Sequence, residues 1–328
     1  MDSRFVLRKQ PNVFKAIGAG FKTLGEHLYL LTIPLILDIA LLFAPRFTVS
    51  DLVSPYLTQL DSLAEASAEI KQLWTELSAS LGTFFQSYSL TSALRSYPLG
   101  VPSLLSSRVF MDNPFGKLSE IAVSSEGQAL LLLLLFGVLG AVLGAVNFYF
   151  CSLPTYQEAR KQDAKAPLKS VAGLLLVPLL FWAALLALAI PVSLVVSVLS
   201  MLHPFLGLLA YFFVAMTLIS MLLPVLFAPH AVLVLKQNLW QGIRTSIRLL
   251  RPYYSATSLF VILAVLASYL TNLLWQSPGT DSPMVFVGIF GHALVSTALL
   301  IGSFHYFIRV LELSQEHELA QQAPESSL

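Results

Sequence analysis

The feature that most constrains this chain is a set of long apolar runs almost without charge. The densest, Gln128 to Leu153, opens with six consecutive leucines, Leu130 to Leu135, followed by Phe136. A bilayer core about 30 Å thick needs about 20 apolar residues per helix, and six segments qualify. They are His27 to Pro45, Gln128 to Leu153, Ser170 to Met201, Phe205 to Leu235, Thr257 to Trp275 and Met284 to Leu311. Only Leu202-His203-Pro204 separates the third from the fourth, so these two form a tight hairpin. Composition agrees: charged residues are 11% of the chain and mean hydropathy is +0.76, whereas soluble chains carry about 25% charge. Leucine runs also exclude the short alternating strands of a membrane barrel. The expected fold is an all-α polytopic membrane protein with six transmembrane helices. With a net charge of +1 there is no basic field to bind nucleic acid.

Lysine and arginine placement sets the expected orientation. Residues 1–26 carry Arg4, Arg8, Lys9, Lys15 and Lys22; the connection after the second span carries Arg160, Lys161, Lys165 and Lys169. Lys236, Arg244, Arg248 and Arg251 follow the fourth span, while 202–204 and 276–283 have no Lys or Arg. Both termini of this multi-pass chain are therefore expected in the cytoplasm. The expected organisation is a basic amphipathic segment (1–26), a six-helix membrane domain (27–45 and 128–311), an extracytoplasmic insertion (46–127) and a cytoplasmic tail (312–328) fraying beyond Ala320.

The insertion carries five Lys/Arg against eight Asp/Glu. Within it Val53, Leu57, Leu60, Leu63, Ala66, Ile70, Trp74, Leu77, Leu81, Phe84 and Tyr88 recur every three or four residues, the period of an amphipathic helix. Ser54-Pro55 reads as its N-cap and first helical position, and Gly82 as a point where it breaks. The loop Tyr97 to Pro102, a short helical piece from Ser103 to Phe110 and a turn at Asp112 to Gly116 follow. The apolar stripe needs a cover: a partner such as another membrane protein, the bilayer surface, or the stretch that follows.

Two more amphipathic segments belong to the cytoplasmic side. After Asn12 as N-cap, Phe14, Ile17, Phe21 and Leu24 share a face flanked by Lys15 and Lys22. Beyond Lys236, the residues Leu239, Trp240, Ile243, Ile247 and Leu250 oppose Gln241, Arg244, Arg248 and Arg251. Both fit helices lying in the interface, with membrane lipids as partners and Lys15, Lys22, Trp240, Arg244, Arg248 and Arg251 as headgroup contacts.

Asp38 is the only acid inside a span, and an intramembrane charge is a functional hypothesis by default. Its candidate partners are Asn147, His230, and His292 with Ser296, which share a helix face at four-residue spacing. One reading is a proton or substrate relay; the other is an interhelical hydrogen bond, or an acid close to the interface. Pro178, Pro191, Pro224 and Pro229 punctuate the hairpin, either as a broken-helix binding site or as ordinary kinks. Gly140 and Gly144 read as a small-residue seam for close helix packing.

Soluble-enzyme motifs are missing. Gly18 to Thr23 lacks the glycine before Lys22 of a phosphate loop, and Glu316-His317-Glu318 has no second histidine four residues on. No Gly-x-Ser-x-Gly elbow occurs, and no cofactor or metal site is read. Cys151, the single cysteine, reads as a small core residue.

The stretch LPVLFAPHAVLVLKQNLWQGIRTSIRLLRPYYSATSLFVILAVL, Leu223 to Leu266, ends a span in a Pro-containing run. It continues through an amphipathic segment with Gly242, Ser246 and Arg248 into the next span. This resembles the polytopic bacterial families grouped around the membrane domain found beside glycerophosphodiester phosphodiesterases. The resemblance implies a six-helix prokaryotic cytoplasmic-membrane protein without its own chemistry. The expected function is a non-catalytic envelope, lipid-associated or complex-assembly role; the alternative is a small-solute or lipid transporter using Asp38 and the proline-broken hairpin.

Overall fold

The computed structural model describes residues 9–64, 68–95, 98–108, 110, 112–155 and 166–322. Arg4, Arg8, Arg160, Lys161, Lys165, Ala66, Tyr97 and the tail beyond 322 lie outside the described residues, so what was expected of them is not taken further. Eleven α-helices are described: α1 (Val13–Glu26), α2 (Thr32–Phe43), α3 (Ser50–Ala64), α4 (Ala68–Ser87), α5 (Glu126–Ser152), α6 (Ala166–Leu202), α7 (Pro204–Val225), α8 (Ala228–Val234), α9 (Leu239–Leu250), α10 (Tyr254–Trp275) and α11 (Val285–Gln322). Four short strands accompany them: β1 (Arg46–Thr48), β2 (Asp112–Asn113), β3 (Gly116–Lys117) and β4 (Glu120–Ala122). Five helical stretches are long and apolar enough to cross a membrane, or six if the broken pair Val13–Glu26 and Leu28–Phe43 is one span. The protein is an all-α polytopic membrane protein. It divides into two compact units, one of residues up to 30, 145–269 and from 296 on, the other of 31–144 and 270–295.

In the first unit, α1 starts where Asn12 accepts the Lys15 N–H at 2.9 Å, the N-cap read from the sequence. Its buried face, however, is Val13, Ala16, Gly20 and Leu24, while Phe14 and Phe21 are exposed. The reason is a close crossing: a Cβ on Gly20 would lie 2.2 Å from the Ala298 carbonyl oxygen and 2.6 Å from Gly302 N. Thr23 Oγ1 and His305 Nε2 meet at 2.8 Å beside it. The small residues Ala16 and Gly20 of α1 thus lie on its buried face with Val13 and Leu24, Gly20 closely against α11, and its two phenylalanines stay exposed.

Small residues likewise join the buried face of α9, beside Leu239, Leu249 and Leu250; its capping box pairs Asn238 with Gln241. Gly242 seats on Val232 and the Ala228 carbonyl, Ser246 donates to the Pro224 carbonyl, and Trp240 and Ile247 remain exposed. The hairpin turns at His203, whose Nδ1 accepts the Phe205 N–H at 3.1 Å. Helix α6 runs through Pro178 and Pro191 without interruption. The break comes instead at Leu226–Phe227, between α7 and α8, where Pro229 at the start of α8 has no N–H to continue the ladder. The last helix continues past Leu311 to Gln322, so the first part of the expected tail is helical.

In the second unit, the insertion is zipped at its base. Strand β1 pairs in parallel with β4, with Arg46 opposite Glu120, and the two side chains form an ion pair at 2.7 Å. The amphipathic stretch is two helices, α3 and α4. It begins at Ser50 rather than Ser54, with Pro55 inside α3. Pro55 cannot bond the Asp51 carbonyl, and the Ser54 hydroxyl donates to that oxygen instead, at 3.5 Å. Helix α4 passes through Gly82 unbroken. The short helical piece is a 3-10 turn at Leu105–Ser107, and the expected turn is the β2–β3 hairpin, where Gly116 has φ 132°.

Candidate functional site

Two sites emerge, both in the second unit. The first is built around Asp38 on α2, which is fully buried. Its carboxylate accepts from the Ser103 hydroxyl at 2.5 Å and from the N–H groups of Leu104 at 2.9 Å and Leu105 at 3.1 Å. Ser103 Oγ in turn accepts the Ser106 N–H at 3.0 Å. The acid therefore caps a 3-10 turn of the insertion, an acceptor-only group meeting three donors. Around it Leu37, Leu41, Leu42, Leu104, Leu105, Val285 and Ile289 form an apolar cluster.

The loop so held enters deep between helices. A Cβ on Gly140 would sit 2.2 Å from the Leu94 carbonyl oxygen, and one on Gly144 would sit 1.8 Å from that of Leu99. These glycines lie about 21 and 27 Å along α5 from Glu126, at 1.5 Å per residue. The seam read as a helix-packing device admits loop backbone instead. Irregular backbone at such depth survives only when protein covers it. Leu94, Leu99, Val101, Leu104 and Leu105 are all buried. Part of the segment expected to stand outside the membrane domain is thus packed against its helices.

The proposed polar cluster is redistributed. The groups that bond Asp38, from Ser103, Leu104 and Leu105, are not the partners expected from the sequence. His292 is buried and, like Asp38, lies within electrostatic reach of Arg95; Ser296 is half-buried. In the other unit, His230 Nε2 meets Ser303 Oγ at 2.7 Å inside an aromatic nest. Its ring centroid is 4.5 Å from Phe304, 4.9 Å from Phe227 and 5.0 Å from Phe148. Asn147 is 1% exposed, and neither polar atom of its side chain has a hydrogen-bond partner among the described residues. Cys151 is fully buried. The headgroup candidates Lys15, Lys22, Arg244, Arg248 and Arg251 are exposed, and the Arg244 guanidinium stands 5.0 Å over the Trp240 ring.

The second site is a cavity of about 220 Å³ where α2 ends and the insertion begins. Its charged lining is Arg46 and Arg108, with no acidic side chain. Arg46 is engaged, through Glu120 and through the Gln86 carbonyl at 3.2 Å. Arg108 Nη1 is buried and has no hydrogen-bond partner among the described residues, a state that costs more than the roughly 1–3 kcal/mol of a neutral donor. Ser89, Thr91 and Ser92 also line the cavity, together with the apolar side chains of Leu41, Phe84 and Phe110. Tyr88 lines it too, and burial pushes its phenol above the usual range, so it stays a proton donor. Neither Arg46 nor Arg108 belongs to a motif legible in the sequence. The available signal was Arg46 directly after Ala44-Pro45, at the end of a span.

Among the described residues no group of three His, Cys, Asp or Glu could hold a metal ion. Comparison with protein-family models, curated proteins and solved structures finds no match to this chain.

Proposed function

We propose that this chain is a non-catalytic integral membrane protein with a lipid-associated or complex-assembly role in a prokaryotic cytoplasmic membrane. In this reading both termini are cytoplasmic and the insertion faces the opposite side. The observation that carries it is the use made of Asp38. The sole acid within a span is spent holding a turn of the insertion against the helices. Fixing a loop costs about 1–2 kcal/mol of backbone entropy per residue, so a fold that commits a buried carboxylate to it favours presentation of that segment. Exposed Trp240, Arg244, Arg248 and Arg251 on one side of α9 support contact with anionic headgroups. The transport alternative gains nothing from Asp38, whose carboxylate is enclosed by donors and leucines. The family resemblance, resting on Leu223 to Leu266, agrees with a non-catalytic role.

Cysteine mapping in whole cells tests the orientation. In a Cys151→Ser background, Lys117→Cys should react with an impermeant maleimide from outside and Gln315→Cys only after lysis; the reverse pattern refutes it. Solute flux in proteoliposomes that requires Asp38 in a stably folded protein would refute the non-transport role.

A further inference from the structure

We propose that the cavity at the end of α2 binds one phosphate oxyanion carrying a single net negative charge, the chemistry of a phospholipid phosphodiester, with Arg108 as its principal ligand. The charge inventory leads there. Arg46 and Arg108 line the cavity with no acid among the lining residues, and Glu120 offsets only Arg46. One positive charge remains in excess, on the side chain whose Nη1 is buried and has no partner among the described residues. A guanidinium in that state calls for an oxyanion, which it binds through charge-assisted hydrogen bonds. Thr91 and Ser92 add hydroxyls that suit further phosphate oxygens.

Size and position specify the rest. About 220 Å³ is room for about seven waters at about 30 Å³ each, enough for a phosphate with part of a glycerol but not for acyl chains. Leu41, Ala44 and Pro45 place the cavity at the end of α2, which is the level of a lipid headgroup if the bent pair of α1 and α2 forms one span, and Leu41 and Phe110 offer apolar groups to the glycerol. A fully aqueous anion site would not need them. The inference relies on the lipid-associated reading above only for the source of the phosphate. Orientation and flux test that reading; dependence on Arg108 tests this one.

The experiment uses the full chain in mixed micelles of phosphatidylglycerol and phosphatidylcholine, read by native mass spectrometry. A second arm titrates delipidated protein calorimetrically with inorganic phosphate. Wild type should retain one phosphatidylglycerol per chain in preference to phosphatidylcholine. Arg108→Gln should reduce retention at least tenfold, and Lys117→Gln, an exposed cation of the same insertion, should leave it unchanged. Ser92→Trp, which fills the cavity while keeping Arg108, should abolish retention, and unfolding midpoints verify that each variant is folded. Arg108-dependent binding of inorganic phosphate without lipid retention would uphold the oxyanion site and overturn the lipid as its source. Equal retention by wild type and both cavity variants, or no binding in either arm, overturns the proposal.

Discussion

Replacing Asp38 by alanine tests whether one carboxylate holds the insertion in place. The side chain is fully buried and accepts three hydrogen bonds, at 2.5, 2.9 and 3.1 Å. Alanine would strand the Ser103 hydroxyl and two backbone N–H groups among leucines. A hydrogen bond to a charged group contributes about 1.5–3 kcal/mol, and a stranded buried donor costs about 1–3 kcal/mol. Groups in one network do not add in full, so Asp38→Ala should lose about 3–5 kcal/mol, less than the sum of three such hydrogen bonds. Asparagine retains one acceptor oxygen and turns an NH2 towards donors, so Asp38→Asn should lose about 2–3 kcal/mol on the same scale. Ser103→Ala removes one donor and should cost about 1–2 kcal/mol; the double variant should show a coupling of about 1 kcal/mol or more. Unfolding in lipid nanodiscs followed by tryptophan fluorescence gives these values. Trypsin cleavage after Arg95 or Arg108 reports locally on the loop. If Asp38→Ala kept its stability within about 1 kcal/mol of wild type and the loop resisted trypsin, the anchoring role would be wrong.

Other perturbations have equally definite outcomes. Gly140→Ala and Gly144→Ala drive a Cβ into the Leu94 and Leu99 carbonyls and should each destabilise by about 1–3 kcal/mol or more. Gly137→Ala, with nothing within 4 Å, should be neutral or stabilising by up to about 1 kcal/mol; equal effects at all three positions would remove the loop from that seam. Ser246→Ala leaves the Pro224 carbonyl without its hydroxyl donor and should cost about 1–2 kcal/mol in thermal unfolding. Asn147→Leu replaces an amide without partners by an apolar group of similar volume and should raise the unfolding midpoint, by about 1 kcal/mol. A lowered midpoint would show that the amide has a partner after all.

The difference between expectation and structure is instructive in α1 and α9. In a water-soluble protein the apolar stripe of a helix marks its buried side. Here Phe14, Phe21, Trp240 and Ile247 stay exposed, while Gly20 and the pair Gly242 and Ser246 make the protein contacts. Lipid accepts large apolar side chains as readily as protein does, so helix association is driven by close approach and small residues mark the seam. Periodicity finds such helices and marks a face that fits lipid, while the small residues that make the protein contacts go unmarked. Gly140 and Gly144 are the converse case: the small-residue signal was legible, but its occupant, the loop backbone at Leu94 and Leu99, was not.

By itself, the sequence determined that the chain is a polytopic helical membrane protein, and it singled out the one acid inside a span. Hydrophobicity along a helix is local, and a run such as Leu130 to Leu135 has no stable home but lipid. Tertiary structure alone decided what Asp38 bonds. Ser103 is 65 residues away in the chain, beyond any helical or strand period. The same holds for the cavity, where Arg46 comes from the exit of a span and Arg108 from a loop more than sixty residues later. Packing brings such groups together through closures that no local pattern encodes, and the charges left over after pairing exist only once it has.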